Sequence, residues 1–349
     1  MSGARQHFIP RFLQKGFRIP SNGKIVRCWV YEQSKSPRSA NIQNVGVERY
    51  FYAIDNEPDL DDKITDEESD VYAPLVENLR AGNLTESVVE RIPALLAHLE
   101  IRSRHVRHNM QSFVDDSVSG ILEHLSEPEN LRALAKNHFR PGSPLFDKAL
   151  VDQGISHEQV QTLLAMGESA LEQIFQPFVA IFAAQMPAQL DRIKSLIPDV
   201  IRGSHVRILN ESVSPAARAR RFNALHYSVQ TFAAGDLPLG DSVVLFHVRG
   251  ERAFKPFVDK DDELVHVILP LSSDMYLLGA TNDPKSSPPQ NLPLEIARCS
   301  IEYFICAHQR DDAADLQAQI GINARWLSAR EMNSIINEVL SESMSEKLA

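Results

Sequence analysis

Apolar side chains change their spacing twice along this 349-residue chain, and the changes divide it into three stretches. In the opening segment GARQHFIPRFLQKGF (3–17), Phe8, Ile9, Phe12 and Leu13 fall at helical spacing. Pro10 suits the first turn of a short helix and Gly16 its C-terminal cap. PSNG at 20–23 reads as a turn. KIVRCWVYE at 24–32 reads as a half-buried strand, with Val26, Cys28 and Val30 alternating against Arg27, Trp29 and Tyr31. From Glu67 to Leu196 the period lengthens to three and four. Ser87 and Glu90 have capping-box spacing, with Pro93 kinking the turns that follow. The run at 94–125 predicts one continuous helix, PGSP at 141–144 a loop, and 156–196 one long or broken helix. After Pro215 the period shortens to two, and 224–232, 241–248, 264–271 and 275–280 read as strands joined by short turns, hence antiparallel. A loop at 281–293 precedes helices at 294–309 and 329–344.

The pattern therefore predicts an α+β fold. A mostly antiparallel sheet, built from strands near 24–32 and 224–280, is flanked by a large helical region at 67–196 and by C-terminal helices. Residues 1–310 are expected to form one compact domain carrying 67–196 as a helical insertion, with 311–349 as a helical extension.

Composition narrows the classes. Hydrophobic residues make up 43% and charged residues 23%, a globular balance that excludes disorder as the main state. Cys28, Cys299 and Cys306 form no CxxC pair, so buried reduced thiols in a cytoplasmic protein are expected rather than a disulfide framework or a thiolate zinc site. No basic segment followed by an apolar run opens the chain, and apolar stretches such as FQPFVAIFAA are too short to span a bilayer. A net charge of −10 argues against a general nucleic-acid coat. The charge is uneven, however. Residues 1–49 hold nine Lys and Arg against two Glu, and residues 55–70 hold nine Asp and Glu against one Lys. With RSRHVRH at 102–108 and RARR at 218–221, this allows either a basic groove for a phosphate-bearing ligand or a basic arm screened by the acidic stretch.

A set of landmarks falls in a recognisable order. QHFIPRFLQKGF, KIVRCWVYE, VERYFYA, ITDEES with LVENL, LAHLEIRSR, VQTFAAGDLPLGDSVVLF and VILPLSSDMYLLG span about residues 5–310. In this order they resemble the domain of unknown function 4238 family. The resemblance implies a fold grouping and candidate residues but no reaction. One departure stands out: where that family usually shows Ser-Asp-Asn-Pro, this chain has Gly240-Asp241-Ser242-Val243.

The polar residues at these landmarks are the candidate site. His7 has a side chain that titrates near neutrality and is a candidate acid or base, or else a structural histidine bonded to a backbone carbonyl. Asp241 is the second catalytic candidate, orienting His7 or holding a metal, or else it caps a turn. Gln6, Arg11 and Arg102 are candidates for substrate binding, since arginine grips carboxylate or phosphate in bidentate fashion. The alternative for the two arginines is an ion pair with Glu67, Glu68 or Glu77. His105 and His108, at i and i+3, lack the HExxH pattern or carboxylate that would complete a zinc site. The absence of a P-loop, GxGxxG and GxSxG removes the usual nucleotide-triphosphatase, dinucleotide and hydrolase readings. Nothing in the sequence fixes a cofactor, a metal or an oligomeric state.

Two functions follow. One is an enzyme acting on a phosphate-bearing substrate or nucleic acid, with these residues drawn into one cleft, and the sequence leans toward it. The other is a non-catalytic binding or regulatory module whose landmark polar residues are structural. Geometry separates them: an open convergence favours the first, burial and mutual pairing the second.

Overall fold

Pro10 precedes the first helix, where its fixed φ favours helix entry. The computed structural model describes residues 5–21, 23–52, 60–127, 129–130, 194–211, 213, 215–233, 236–281 and 290–327, with isolated positions from 156 to 192 and at 332 and 334. β1 (Arg5–His7) leads into α1 (Arg11–Gln14) and a 3-10 turn at Lys15–Phe17. Gly16 is not the expected helix cap. It lies inside that turn, where an added Cβ would stand 2.1 Å from the Leu271 carbonyl oxygen. The glycine is there for close approach to a strand, not for a left-handed backbone. The same junction is tied by Arg80, whose guanidinium donates to the carbonyls of Phe12 and Leu13 at 3.1 Å and of Leu271 at 2.9 Å. It thereby satisfies carbonyls that the end of α1 leaves open.

β2 (Arg27–Glu32), β3 (Arg38–Asn41) and β4 (Val47–Arg49) follow. α2 (Leu60–Glu67) passes through a π turn at Glu68–Tyr72 into α3 (Ala73–Arg80). In α4 (Glu86–Val89) the N-cap position belongs to Thr85, and the expected Ser87–Glu90 box does not form. The Ser87 hydroxyl meets that of Thr85 at 3.2 Å instead. The continuous helix expected over 94–125 is two helices, α5 (Ile92–Arg102) and α6 (Arg104–Ser126). The break is at Ser103, whose backbone turns extended (ψ 148°) and whose hydroxyl donates to the Glu100 carbonyl at 3.0 Å. A short hydroxyl competing for helix carbonyls is a known helix terminator. Pro93 does not kink α5 but occupies its first turn. The loop expected at 141–144 lies outside the described residues, as do most of the helices expected at 156–196 and 329–344. α7 covers 194–211.

After α8 (Ala216–Ala219) come β5 (His226–Thr231), β6 (Leu239–Gly240), β7 (Leu245–Val248), β8 (Phe254–Lys255), β9 (Leu264–Ser272) and β10 (Met275–Ala280). α9 (Leu292–Cys299), β11 (Tyr303–Cys306) and α10 (Ala313–Gln317) complete the described elements. The fold is α+β with antiparallel sheets. The strands divide among three of them: a pair β1-β4, a five-stranded sheet β5-β10-β9-β7-β8, and a four-stranded sheet β3-β2-β11-β6. The strand near 24–32 thus shares a sheet with 239–240, while the rest of 224–280 builds the five-stranded one. Residues 303–306, expected within a helix, form β11 at the centre of the four-stranded sheet, with Ile305 opposite Val30 and Phe304 opposite Tyr31. All four of its side chains are buried, and such short continuous apolar runs belong as readily to a central strand as to a helix.

The main core joins Phe8, Ile9, Phe12 and Leu13 to side chains of β2, α3, α5 and β9. Ile9 and Leu13 are fully buried, so the opening segment is packed into the core. The chain divides into two compact units, Met1–Met110 with Ile201–Trp326 and Gln111–Val200 with Leu327–Ala349. In the second, Lys194 Nζ donates to Ser119 Oγ at 3.0 Å. Among the described residues no helix is long and apolar enough to cross a membrane.

Candidate functional site

β1 pairs with β4 and sets Gln6 opposite Glu48, which fixes how the first polar residues face the core. Gln6 is buried; its carbonyl oxygen accepts from the Tyr52 backbone N–H, and its side chain also bonds to Asp61. The His7 carbonyl accepts from Arg102 and from the Tyr52 hydroxyl (3.3 Å). Arg102, buried at 3% exposure, donates through Nε to the Tyr52 hydroxyl at 2.7 Å and pairs through Nη1 with Glu68. Glu68 in turn meets His98 Nε2 at 3.2 Å, while His98 Nδ1 lies 3.0 Å from the Val213 carbonyl and Tyr72 stacks on the ring. Three sequence candidates, Gln6, His7 and Arg102, are therefore brought together through Tyr52. Of the partners expected for the arginines, Arg102 takes Glu68. Removing either member of such a buried pair costs about 3–5 kcal/mol.

The His7 ring is half-buried, its Nδ1 is buried, and the Val45 carbonyl lies within hydrogen-bonding reach of the ring, as the structural alternative for this histidine requires. Burial pushes its pKa down to about 4, assisted by the positive charges of Arg102 and Arg11. The ring is thus neutral at physiological pH. Arg11 is exposed on α1.

Asp241 stands apart from this network. Its buried carboxylate accepts from the backbone N–H groups of Ile301 (2.7 Å), Glu302 (2.8 Å) and Tyr303 (3.3 Å), at the start of β11. Burial raises its pKa to about 6 despite these donors. The flanking departures from the family pattern have physical reasons. A Cβ on Gly240 would stand 2.5 Å from Ser300 Oγ, and Val243 has φ +66°, which proline cannot adopt.

Much of the basic clusters is used inside the fold, Arg104 and the exposed Arg220 excepted. Arg218 binds buried Glu100 and the Val258 carbonyl and stacks over Phe257 at 4.0 Å; Arg221 donates to the Asp262 carbonyl at 3.2 Å. Arg107 donates to the Phe51 carbonyl at 2.7 Å and lies over that ring at 4.0 Å. His105 is buried against the Ala324 carbonyl at 3.0 Å, whereas His108 is exposed. Among the described residues no group of three His, Cys, Asp or Glu is placed to hold a metal ion. The three cysteines are buried and free.

A cleft of about 330 Å³ opens between β4 and the start of β11. Phe8, Val30 and Val47 supply apolar walls; Arg38, Arg104, Glu48 and Glu302 supply charge; Tyr303 lies among them. Arg104 pairs with Glu302 at 2.6 Å, lies 3.7 Å from Glu48, and sits over the Phe8 ring at 5.9 Å. The Tyr303 hydroxyl is buried, with the Gly46 backbone N–H near its oxygen and no acceptor for its proton. None of the five sequence candidates lines this cleft, although Asp241 holds the Glu302–Tyr303 backbone that forms one wall. Arg104 and Tyr52 lie in two of the landmarks, LAHLEIRSR and VERYFYA. Glu302 and Tyr303 were masked by the helical reading of 294–309.

No curated protein and no solved structure matches the chain. Residues 5–295 match the family described as protein of unknown function DUF4238, and the chain belongs to that family.

Proposed function

We propose that this protein is a non-catalytic binding or regulatory module, working in the cytoplasm, whose landmark polar residues hold the fold while the cleft beside Arg104 takes a small ligand. One observation carries this reading. Gln6, Arg102 and Asp241 are buried and their polar groups are bonded to the chain itself, whereas the cleft is lined by charged side chains open to solvent. Buried networks of this kind order a core, while ligand sites combine apolar walls with a few convergent polar groups. Three buried thiols suit a reducing compartment.

A second reading, an enzyme acting on a phosphate-bearing substrate or nucleic acid, is favoured by the neutral His7 ring close enough to the exposed Arg11 to feel its charge. A neutral imidazole can accept a proton. Two variants separate the readings. Asp241→Asn is expected to lose about 1–3 kcal/mol in urea denaturation, because an amide meets backbone donors where a carboxylate accepted them. His7→Ala is expected to retain whatever cellular effect the wild-type chain has, in proportion to the folded protein present. A stable His7→Ala chain without that effect would overturn the module and favour the enzyme.

A further inference from the structure

The charges around the cleft cancel: Arg38 and Arg104 stand against Glu48 and Glu302. Arg104 is shared between the two carboxylates, at 2.6 Å from Glu302 and 3.7 Å from Glu48, and its side chain is about one-third exposed. Glu302 and Glu48 are each roughly half exposed, so a purely anionic ligand that took Arg104 would strand no buried charge but would set its own charge beside these two carboxylates, which repel it. A purely cationic ligand would meet Arg104 and Arg38 in the same way. A molecule carrying both charges sets each against its opposite.

A second observation points the same way. Tyr303 is 8% exposed and lines the cleft, and its hydroxyl is buried with the Gly46 backbone N–H near its oxygen but no protein acceptor for its proton. Buried polar groups in this state call for an explanation, and a ligand acceptor supplies one. Phe8, Val30 and Val47 leave an apolar wall for a side chain, and about 330 Å³ is at the small end of ligand pockets.

We propose that the cleft binds a small zwitterion of the α-amino-acid class, with its carboxylate on Arg104 and the Tyr303 hydroxyl and its ammonium on Glu48 and Glu302. This names the ligand of the module proposed above and rests on that reading. The side chain lies against Phe8, whose ring also backs the Arg104 guanidinium.

Calorimetric titration of the full chain tests it. The probes are L-alanine, L-leucine and L-phenylalanine, each beside the acid lacking its ammonium and the amine lacking its carboxylate (hydrocinnamate and phenethylamine for phenylalanine), with inorganic phosphate as a further arm. At least one amino acid is expected to bind saturably, with both of its single-charge analogues weaker by about tenfold or more. Tyr303→Phe, which removes only a hydroxyl that finds no acceptor in the protein, is expected to stay within about 1 °C of the wild-type melting temperature and to weaken the amino acid by roughly three- to tenfold. An analogue binding as tightly as its amino acid, wild-type affinity in Tyr303→Phe, or no saturable amino acid would each overturn the zwitterion. Phosphate binding that Arg104→Gln abolishes also overturns it, while leaving the binding module standing. The module itself fails only through the His7→Ala outcome above.

Discussion

At position 16 a single methyl group is enough to disturb the junction of α1 with β9. The Cβ of alanine there would fall 2.1 Å from the Leu271 carbonyl oxygen and 2.6 Å from the Arg80 guanidinium. The arginine can swing aside; the strand backbone cannot. Gly16→Ala is expected to cost about 1–3 kcal/mol or more, read as a fall in urea midpoint, because overpacked sites force backbone shifts. Gly23→Ala is the control, since a Cβ there comes no nearer than 3.9 Å to a Ser21 hydroxyl. Equal midpoints for the two variants would show that α1 and β9 separate freely. The sequence marked Gly16 as special, but a C-cap and a close approach look alike in one dimension. What distinguishes them is a residue 255 positions away, a separation read from Gly16 and Leu271 in the chain. The same limit applies to Asp241. Its place after a glycine was legible, but its three donors at 301–303 were not.

Among elements, those with long unbroken periodicity were readable and those defined by a neighbour were not. β2, β5, β9 and β10 appear near their expected positions because alternating burial writes itself into the sequence. β11 was hidden because its four residues are apolar throughout and follow a true helix, α9, after only Ser300–Glu302. The α5–α6 break was hidden for a different reason. Ser103 interrupts neither the apolar spacing nor the charge pattern, and only its bond to the Glu100 carbonyl ends the helix. The anchoring role of α1, by contrast, was visible in Phe8, Ile9, Phe12 and Leu13. Phe12→Ala is expected to cost about 3–5 kcal/mol, from lost transfer energy and the cavity left in the core. Chemical denaturation checks this. A loss below about 1 kcal/mol would mean that α1 is a loose arm rather than a packed element.

At the scale of the whole molecule, the buried histidines set the response to pH. Burial lowers His98 and His205 to about 4 and His105 to about 3. In the unfolded chain these rings take up protons near pH 6.5, which the folded chain resists. Their contribution is therefore complete above about pH 6.5 and is lost as pH falls toward 4, on the order of 3 kcal/mol for each ring. Asp241 acts in the opposite sense. Its raised pKa of about 6 gives stability below the ordinary carboxylate range that disappears as pH rises through 6. Burial also raises the carboxyls of Asp61, Glu100, Asp236, Asp259 and Glu295, which act with Asp241, while His7, lowered to about 4, acts with the three rings. With the histidines dominant, the melting temperature is expected to fall between pH 6.5 and 4, and a flat profile over that window would refute that dominance. His105→Gln should flatten part of the slope. A last consequence concerns how such a molecule comes off the ribosome. β2 ends at Glu32 and its partner β11 begins at Tyr303, so the centre of the four-stranded sheet joins segments made far apart in time. At roughly 5–20 residues per second, about a quarter of a minute to a minute passes between them. Through that interval β2 has only the β3 hairpin on one side, and its other edge, with Cys28, Val30 and Tyr31, waits without a strand to close it. Nascent chains stopped short of β11 should therefore be the species most dependent on chaperones, whatever ligand the finished protein holds.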